Sequence, residues 1–252
     1  FKVVWSHRQD PKASPNSTFS ASVNFATSSY DRNQLTNIYN QSSTTNTKGS
    51  SVSLSQRFPN SPLSLSATMN INQRSRDSSI SVTLPDISVS LSRIYPFKRK
   101  NGVGKEKWFE KISMSYSGYL RNSINTKENL LMKSSLVKDW KNAMQHTIPI
   151  SATFNLFKYI SISPSVNYTE RWYLQSINKS WDNVKQTVKT DTVSGFNRVY
   201  DFNMGVSAST KLYGFFIPSR AIFGDKIEKI RHVLTPSVGL SYRPDFGESK
   251  WG

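Results

Sequence analysis

The sequence predicts an all-β chain, an antiparallel up-and-down transmembrane β-barrel in which about ten strands form an arc of a larger barrel. Three observations favour this class. Apolar and small polar residues alternate over long stretches, these stretches are long enough to cross a bilayer, and long and short polar links separate them. No apolar run approaches roughly 18 residues, which excludes a membrane-spanning helix.

Each predicted strand has one apolar face because its apolar residues occupy every second position. Residues 63–71 are the clearest case, since Leu and other apolar residues alternate there with Ser, Thr and Asn. The same alternation predicts strands over residues 19–25, 112–120, 148–156, 160–168, 200–208 and 234–242. Between residues 80 and 91 the alternation slips by one position at Pro85-Asp86, and we predict a β-bulge there.

The strand lengths distinguish a membrane barrel from a soluble sheet. The predicted strands reach roughly 9–13 residues, whereas strands of globular proteins usually have about 5–6. About ten residues at about 3.3 Å each, tilted near 45°, rise roughly 23–25 Å, close to the apolar band of an outer-membrane barrel. The polar faces carry mainly Ser, Thr and Asn, which are typical of a wet lumen.

The links between strands predict the topology. We place the long polar links at residues 30–49, 123–146 and 176–195 outside, and the shorter links at residues 58–62 and around 157–159 on the periplasmic side. Three links do not fit this rule. The link at 74–78 is short but falls on the outer side, and the links at 96–108 and 213–230 are longer but fall on the periplasmic side. The link at 123–146 also has the apolar residues for a short helix, namely Leu130, Leu131, Leu136, Val137 and Trp140.

The domain organisation follows from the same pattern. No domain boundary or internal repeat is visible, so residues 1–252 are expected to form one partial outer-membrane barrel domain with no separate second domain. The chain opens within a predicted strand and ends in a predicted link. We therefore expect it to be a fragment of a larger barrel.

The net charge of +17 calls for an anionic partner, and charge alone leaves nucleic acid, phospholipid headgroups and phosphorylated glycolipid open. A nucleic-acid-binding face places basic and stacking residues together on one exposed surface. Here the aromatic residues follow the apolar phase instead, as in the aromatic girdles of membrane barrels, so no nucleic-acid partner is expected. They are Phe19, Phe25, Tyr116, Phe154, Tyr168, Phe202 and Tyr242.

No pattern in the sequence indicates catalysis, and we expect no enzyme and no cofactor. The chain has no cysteine, and its three histidines lie in different predicted elements, so no metal site is expected. The usual nucleophile, phosphate-loop, dinucleotide and zinc-protease motifs are missing. The carboxylate pairs Glu106/Glu110 and Asp225/Glu228 lie beside Lys and Arg, which favours charge-paired link residues over acid–base chemistry.

Five basic residues are the candidate anion-binding or glycolipid-binding residues, because each falls on the polar phase inside the predicted lumen. They are Arg121, Arg171, Lys211, Arg231 and Arg243, the last two on a single predicted tenth strand. A guanidinium there can donate two hydrogen bonds to phosphate or carboxylate oxygens. Pairing with a carboxylate of another strand, or simple solvation, is equally open.

Residues 212–246 resemble the barrel core of the lipopolysaccharide-assembly outer-membrane protein family, LptD or OstA. The resemblance rests on an Arg-His-x-x-x-Pro element, an alternating strand, and a Tyr-Arg-Pro-Asp-Phe element that follows it. Residues 92–100 and 5–11 also resemble a branch of that family. The motif residues are Arg231, His232, Pro236, Tyr242, Pro244, Asp245 and Phe246.

The resemblance implies a barrel of about 26 strands in the Gram-negative outer membrane. Such a protein receives lipopolysaccharide or lipooligosaccharide from periplasmic bridge proteins and encloses a plug lipoprotein of the LptE type. It passes the glycolipid through a polar, basic lumen and releases it sideways into the outer leaflet, through a lateral gate between the first and last strands. The family's periplasmic jelly-roll domain is expected to be absent from this piece.

Two other functions fit the same alternating strands. A porin or ligand-uptake channel has strands of this kind, and it conducts ions freely where a plugged translocon does not. A soluble extracellular β-sandwich adhesin dissolves without detergent. Of the three, passage of a glycolipid into the outer leaflet agrees best with the resemblance and with the basic charge.

Overall fold

The computed structural model describes residues 2–27, 30, 47–100, 104–136, 138–183, 186–217 and 228–248. Most of these residues lie in strands. The strands are β1 Lys2–Arg8, β2 Ser17–Ala26, β3 Thr47–Arg57, β4 Leu63–Arg74, β5 Ser79–Ile94, β6 Ser113–Lys127, β7 Lys141–Ser151, β8 Phe154–Leu156, β9 Ile160–Asp182, β10 Thr187–Thr210, β11 Leu212–Phe216, β12 Ile230–Leu234 and β13 Ser237–Tyr242. A 3₁₀ turn covers Trp108–Lys111, and α1 is a single helical turn over Glu128–Leu131.

One sheet contains eleven of these strands, in the order β1-β2-β3-β4-β5-β6-β7-β9-β10-β13, with β8 pairing with β9. Strands β11 and β12 form a separate two-stranded sheet. From β1 to β7 each strand pairs with the next one in the chain, and β1–β2, β2–β3, β3–β4 and β4–β5 are antiparallel. The predicted fold class, an all-β antiparallel up-and-down arrangement of barrel type, is confirmed.

The described chain divides into two compact units. Unit 1 is Phe1–Ser92, Tyr116–Thr147 and Thr169–Tyr200, and unit 2 is Arg93–Ser115, Ile148–Tyr168 and Asp201–Gly252. Several strands contribute residues to both, among them β6, β9 and β10. That the chain forms one partial barrel domain stays a prediction.

Unit 1 contains a small apolar cluster on the apolar phase of its strands. Ile80, Val82, Ile124 and Trp140 are buried, and Phe25, Ile71 and Leu131 pack against them. Leu131 is the last residue of α1. The sequence predicted lipid-facing positions along these strands, so the segment between β6 and β7 covers part of the apolar face that the alternation left open.

Unit 2 exposes its apolar phase. Val206 on β10 and Val238, Leu240 and Tyr242 on β13 are all exposed, Leu240 to 77%. The residues between them on the other phase are small, and Ser207, Gly239 and Ser241 line a shallow groove of about 320 Å³. Two faces of opposite chemistry therefore persist in the folded sheet.

The predicted bulge in β5 is confirmed. Thr68 of β4 pairs with Asp86 and Asn70 pairs with Thr83, so Leu84 and Pro85 together lie opposite the single residue Met69. Two residues against one define a β-bulge, and a bulge is a position where a strand tolerates proline. Because of the extra residue in the bulge, the apolar residues that share one face of β5 occupy even positions before the bulge and odd positions after it.

Three predicted elements differ from the structure. The long link at residues 176–195 is largely strand, because β9 continues to Asp182 and β10 begins at Thr187. The strand at 148–156 is divided into β7 and β8. In the link at 123–146, β6 continues to Lys127 and the short helix covers only Glu128–Leu131, with Leu136 and Trp140 outside it. Val137 lies outside the described residues.

The predicted tenth strand is also divided, and this affects two candidate residues. Arg231 lies on β12, which pairs with β11, whereas Arg243 follows β13, which pairs with β10. Pro236 lies between β12 and β13, and a proline has no N–H to continue a ladder. The two arginines therefore do not share one strand. In the described parts of the chain, no helix is long and apolar enough to cross a bilayer.

Candidate functional site

Hydroxyl and amide pairs cover the polar phase of the sheet. Directly opposite residues of an antiparallel pair are neighbours on one face, so two small polar side chains there can bond to each other. In unit 1 the hydroxyl oxygens of Ser64 and Ser90 are 2.6 Å apart, and those of Ser66 and Ser88 are 2.7 Å apart. Further pairs of this kind are Ser20–Ser53, Ser113–Ser151 and Asn167–Asn203. The paired side chains on this face are therefore polar and uncharged.

Two of the candidate basic residues, Arg121 and Arg171, line the same pocket in unit 1. The pocket has a volume of about 300 Å³. Alternation places Tyr119 with Arg121 on one strand and Arg171 with Tyr173 on another, all on the polar phase. Its lining comprises Asp86, Tyr119, Arg121, Ala143, Met144, Gln145, Arg171 and Tyr173.

Both arginines of this pocket have partners. The Nη2 of Arg121 donates to Oδ2 of Asp86 at 2.8 Å, and its Nε donates to the same oxygen at 3.1 Å. The Nε of Arg171 donates to Oε1 of Gln145 at 3.3 Å. The Arg121 side chain is nevertheless 64% exposed, against 18% for Asp86, so its guanidinium remains accessible from the pocket.

The other three candidate residues lie in unit 2 and are not gathered in one pocket. Arg243 donates from Nη2 to Oδ2 of Asp201 at 3.2 Å. The Arg231 guanidinium lies 5.8 Å from the centre of the Tyr213 ring, a cation–π contact. Lys211 is exposed between β10 and β11 and forms no salt bridge with the described residues. Carboxylate pairing, which the sequence left open, is thus observed for Arg121 and Arg243.

A charged pair on the apolar phase was missed at the sequence level. Arg198 contacts Glu170 through Nε–Oε1 at 2.5 Å and Nη2–Oε2 at 3.1 Å, and the Trp172 indole also donates to Oε1 at 2.6 Å. The Arg198 guanidinium lies 5.5 Å from the centre of the Tyr200 ring. Glu170 and Arg198 both occupy even positions, as the apolar residues of these strands do. Two opposite charges at apolar-phase positions of these strands were the feature of the sequence that could have predicted this pair.

The acidic link residues are charge-paired, as predicted for the first of the two carboxylate pairs. The Nζ of Lys98 lies 3.1 Å from Oε1 of Glu106, and Arg99 binds Glu110 through two nitrogens. The Glu110 side chain is only 2% exposed. Hydrogen bonds from Arg99 and from the Lys107 N–H lower the pKa of Glu110 to about 2. Asp225 lies outside the described residues.

The motif residues lie in β12 and β13 and in the segments that flank β13. Pro244 is buried, and the rings of Phe202 and Phe246 meet edge to face with centroids 5.4 Å apart. Asp245 accepts the Gly247 N–H at 2.9 Å, and the Pro236 carbonyl accepts the Thr210 N–H at 3.2 Å. His232 pairs with Gly214 across β11 and β12, and Tyr242 is exposed.

No metal centre is formed by the residues that the structure describes, because no three His, Asp or Glu side chains come together among them. His146 is hydrogen-bonded through Nδ1 to the Tyr116 hydroxyl at 2.7 Å. Its ring also lies 4.5 Å from the Trp172 ring, in an aromatic row.

Comparison with known proteins gives one match. The model of the LptD protein family matches residues 1–252, the whole of the chain. Neither the curated proteins nor the solved structures contain a significant match.

Proposed function

Because this chain belongs to the LptD protein family, which serves lipopolysaccharide transport and assembly at the outer membrane, we propose that its polar face guides the glycolipid to the outer leaflet. In this proposal the phosphorylated, sugar-bearing head moves along the hydroxyl-lined face while the acyl chains stay in hydrocarbon. The step is passage of a molecule, and no bond is made or broken.

The observation that carries the proposal is the pocket shared by Arg121 and Arg171. Two guanidinium groups and one carboxylate, Asp86, leave the pocket with a net positive charge. Guanidinium groups bind phosphate oxygens through paired, charge-assisted hydrogen bonds. Because Asp86 and Gln145 already hold the two arginines, a phosphate meets donors that are largely pre-oriented.

The pairing of an arginine with a neighbouring carboxylate also suits passage of the glycolipid headgroup. An arginine held by a carboxylate binds an anion less tightly than an unpaired arginine, because the carboxylate repels the incoming charge. A transported headgroup must leave each site that it enters. Arg243, held by Asp201 in unit 2, offers a second site of the same kind. Arg231 and Lys211 complete the proposed set, although Arg231 lies against Tyr213.

The partners follow from the family and are part of the proposal. They are lipopolysaccharide or lipooligosaccharide as cargo, periplasmic bridge proteins that deliver it, membrane lipids, and a plug lipoprotein of the LptE type. A lateral gate between the first and last strands of the complete barrel is proposed on the same ground.

The test is the rate at which newly made glycolipid reaches the cell surface. In the full-length protein, Arg121→Gln with Arg171→Gln should slow surface arrival of pulse-labelled glycolipid several-fold, because the phosphate loses two charge-assisted donors. The matched control is Lys179→Gln with Lys189→Gln, which removes the same charge from the far ends of β9 and β10. It should leave arrival unchanged.

Heat-modifiable migration on gels verifies that both variants insert as folded barrels. Unchanged delivery by a folded Arg121/Arg171 variant contradicts the role of the pocket. A porin or uptake channel predicts instead that the intact assembly conducts ions freely across a planar bilayer.

A further inference from the structure

A second cavity of unit 1 has none of the five basic residues considered so far in its lining. Its volume is about 780 Å³, within the range of small-molecule sites. It is lined by Thr47, Asn72, Arg74, Ser79, Ile80, Ser81, Asn125, Thr126, Lys127 and Leu130. Its two basic residues, Arg74 and Lys127, are not among the candidate residues that the sequence predicted.

Strand register explains how this cavity forms. Arg74 pairs with Thr47 on β3 and with Ser79 on β5, and Asn72 pairs with Gly49 and Ser81. Directly opposite residues share a face, so these residues form two adjacent rows on the polar phase. Asn125 and Lys127 lie on the polar phase of β6, whose odd positions are polar. The cavity is therefore built by consecutive strand ends beside the turn at residues 75–78.

The charge of the cavity is positive. Among the described residues that line it, none is Asp or Glu, and Arg74 and Lys127 form no salt bridge within the described chain. Glu128, which follows Lys127 in the chain, accepts a hydrogen bond from the Gln73 side-chain amide at 2.5 Å. The other acidic residue close to the lining in sequence is Asp77, in the turn that joins β4 to β5. Its Oδ1 accepts from the Ser79 hydroxyl at 2.8 Å and from the Ser79 N–H at 3.2 Å, which together lower its pKa. Arg74 lowers that pKa further, through its charge.

The remaining lining is chemically matched to sugars. Thr47, Ser79 and Ser81 offer hydroxyls, and Asn72 and Asn125 offer amides, groups that both donate and accept hydrogen bonds. Only Ile80 and Leu130 are large and apolar, and no aromatic ring is present for a base or drug-like ring to stack on. The combination of amides, hydroxyls and two cations selects a saccharide that carries phosphate.

We propose that this cavity is a binding site for the phosphorylated oligosaccharide head of the glycolipid, at the outer end of the polar face. The proposal rests on the proposed function for its source of ligand and on the predicted topology for its position. Hydroxyls and amides bind the sugar hydroxyls, and Arg74 and Lys127 bind a phosphate. The site would hold the head as it emerges from the lumen.

The experiment measures binding to the full-length protein with its partners in lipid nanodiscs. The probes are the deacylated phosphorylated oligosaccharide of the bacterium's own glycolipid, the same oligosaccharide after phosphatase treatment, and inorganic phosphate. Arg74→Gln with Lys127→Gln should raise the Kd for the phosphorylated probe roughly tenfold or more, and phosphatase treatment of the probe should have a similar effect. Asn125→Asp should also weaken binding, by adding a repelling charge.

The control variant is Lys12→Gln with Arg57→Gln. Both residues are exposed and lie near other turns, and the two substitutions remove the same total charge as Arg74→Gln with Lys127→Gln. It should leave the Kd unchanged. Equal binding by the Arg74/Lys127 variant overturns the site, and so does inorganic phosphate binding as tightly as the oligosaccharide, which would mark a simple anion site.

A separate readout distinguishes this site from the proposed function. If the unaltered protein delivers no glycolipid to the surface yet binds the oligosaccharide with the stated dependence on Arg74 and Lys127, the proposed function is wrong and the site stands. If delivery is intact and the Kd does not depend on those residues, the site alone is wrong.

Discussion

Gly118 shows how one residue fixes a local arrangement of rings. A Cβ built at Gly118 would come within 2.5 Å of the Tyr116 hydroxyl oxygen, so the Tyr116 ring lies directly over the glycine. That position lets the hydroxyl bond to His146, whose ring contacts Trp172. The alternation of β6 marked both residues as apolar-phase positions, but nothing in the sequence indicated that one ring would cover the next residue on its own face.

We therefore expect Gly118→Val to displace Tyr116 and break its hydrogen bond to His146. The loss should be about 1–2 kcal/mol in the free energy of unfolding, measured by urea titration of the protein folded into vesicles. Gly195→Ala is the matched control, since a Cβ there meets nothing within 4 Å. Equal stability of Gly118→Val and the parent chain would show that the ring contact contributes little.

At the scale of elements, the bulge in β5 decides which residues face which side. Ile80 and Val82 lie before it and belong to the buried apolar cluster, while Ile87, Val89 and Leu91 lie after it at odd positions. A strand that slips by one residue moves every side chain to the opposite face. The sequence revealed this bulge because a phase change in an alternating pattern coincides with a proline.

Removing the extra residue of the bulge should therefore be tolerated, whereas adding a residue before it should not. Deleting Pro85 leaves Leu84 alone opposite Met69 and keeps every other pair of β4 and β5, so Ile80 and Val82 stay on their face. Inserting one alanine between Val82 and Thr83 should turn Ile80 and Val82 to the polar face, at a cost above about 3 kcal/mol. The folded fraction on heat-modifiable gels measures both, and equal folding of the two variants would contradict the role of the bulge.

The length of β9 and β10 is a second property of the elements. They contain 23 and 24 residues, whereas about 9–11 residues suffice to cross a bilayer. Polar and charged residues dominate the region from 176 to 195, so the sequence favoured a link. Composition did not reveal that this region pairs as strands, because pairing of polar strands outside a membrane depends on the partner strand and not on an apolar face.

For the whole molecule, the decisive property is the opposition of an apolar face and a hydroxyl face. Leu240 and Ser241 are neighbours in β13, both exposed, on opposite phases. The chain's membership of the LptD protein family agrees with an outer-membrane location. A lipid-facing position excludes charge strongly, whereas a position facing water does not.

Leu240→Lys should destabilise the folded protein by about 2–4 kcal/mol if the position lies near the bilayer midplane, and Ser241→Lys should change stability by less than about 1 kcal/mol. Each variant adds the same charge at adjacent positions, so each controls for the other. Urea unfolding from lipid vesicles measures the difference. Equal tolerance of both lysines would contradict the assignment of the apolar phase to lipid.

The sequence by itself determined most of the strands, their two faces and the bulge, because period-two alternation is a local property of the chain, and its composition determined the basic charge. Tertiary structure decided which groups the arginines contact: Arg121 pairs with Asp86, Arg243 pairs with Asp201, and Arg231 lies against the Tyr213 ring. It also divided the strand around Pro236 and gathered Arg74 and Lys127 around one cavity. These outcomes depend on the register between strands distant in sequence, which alternation along a single strand does not specify.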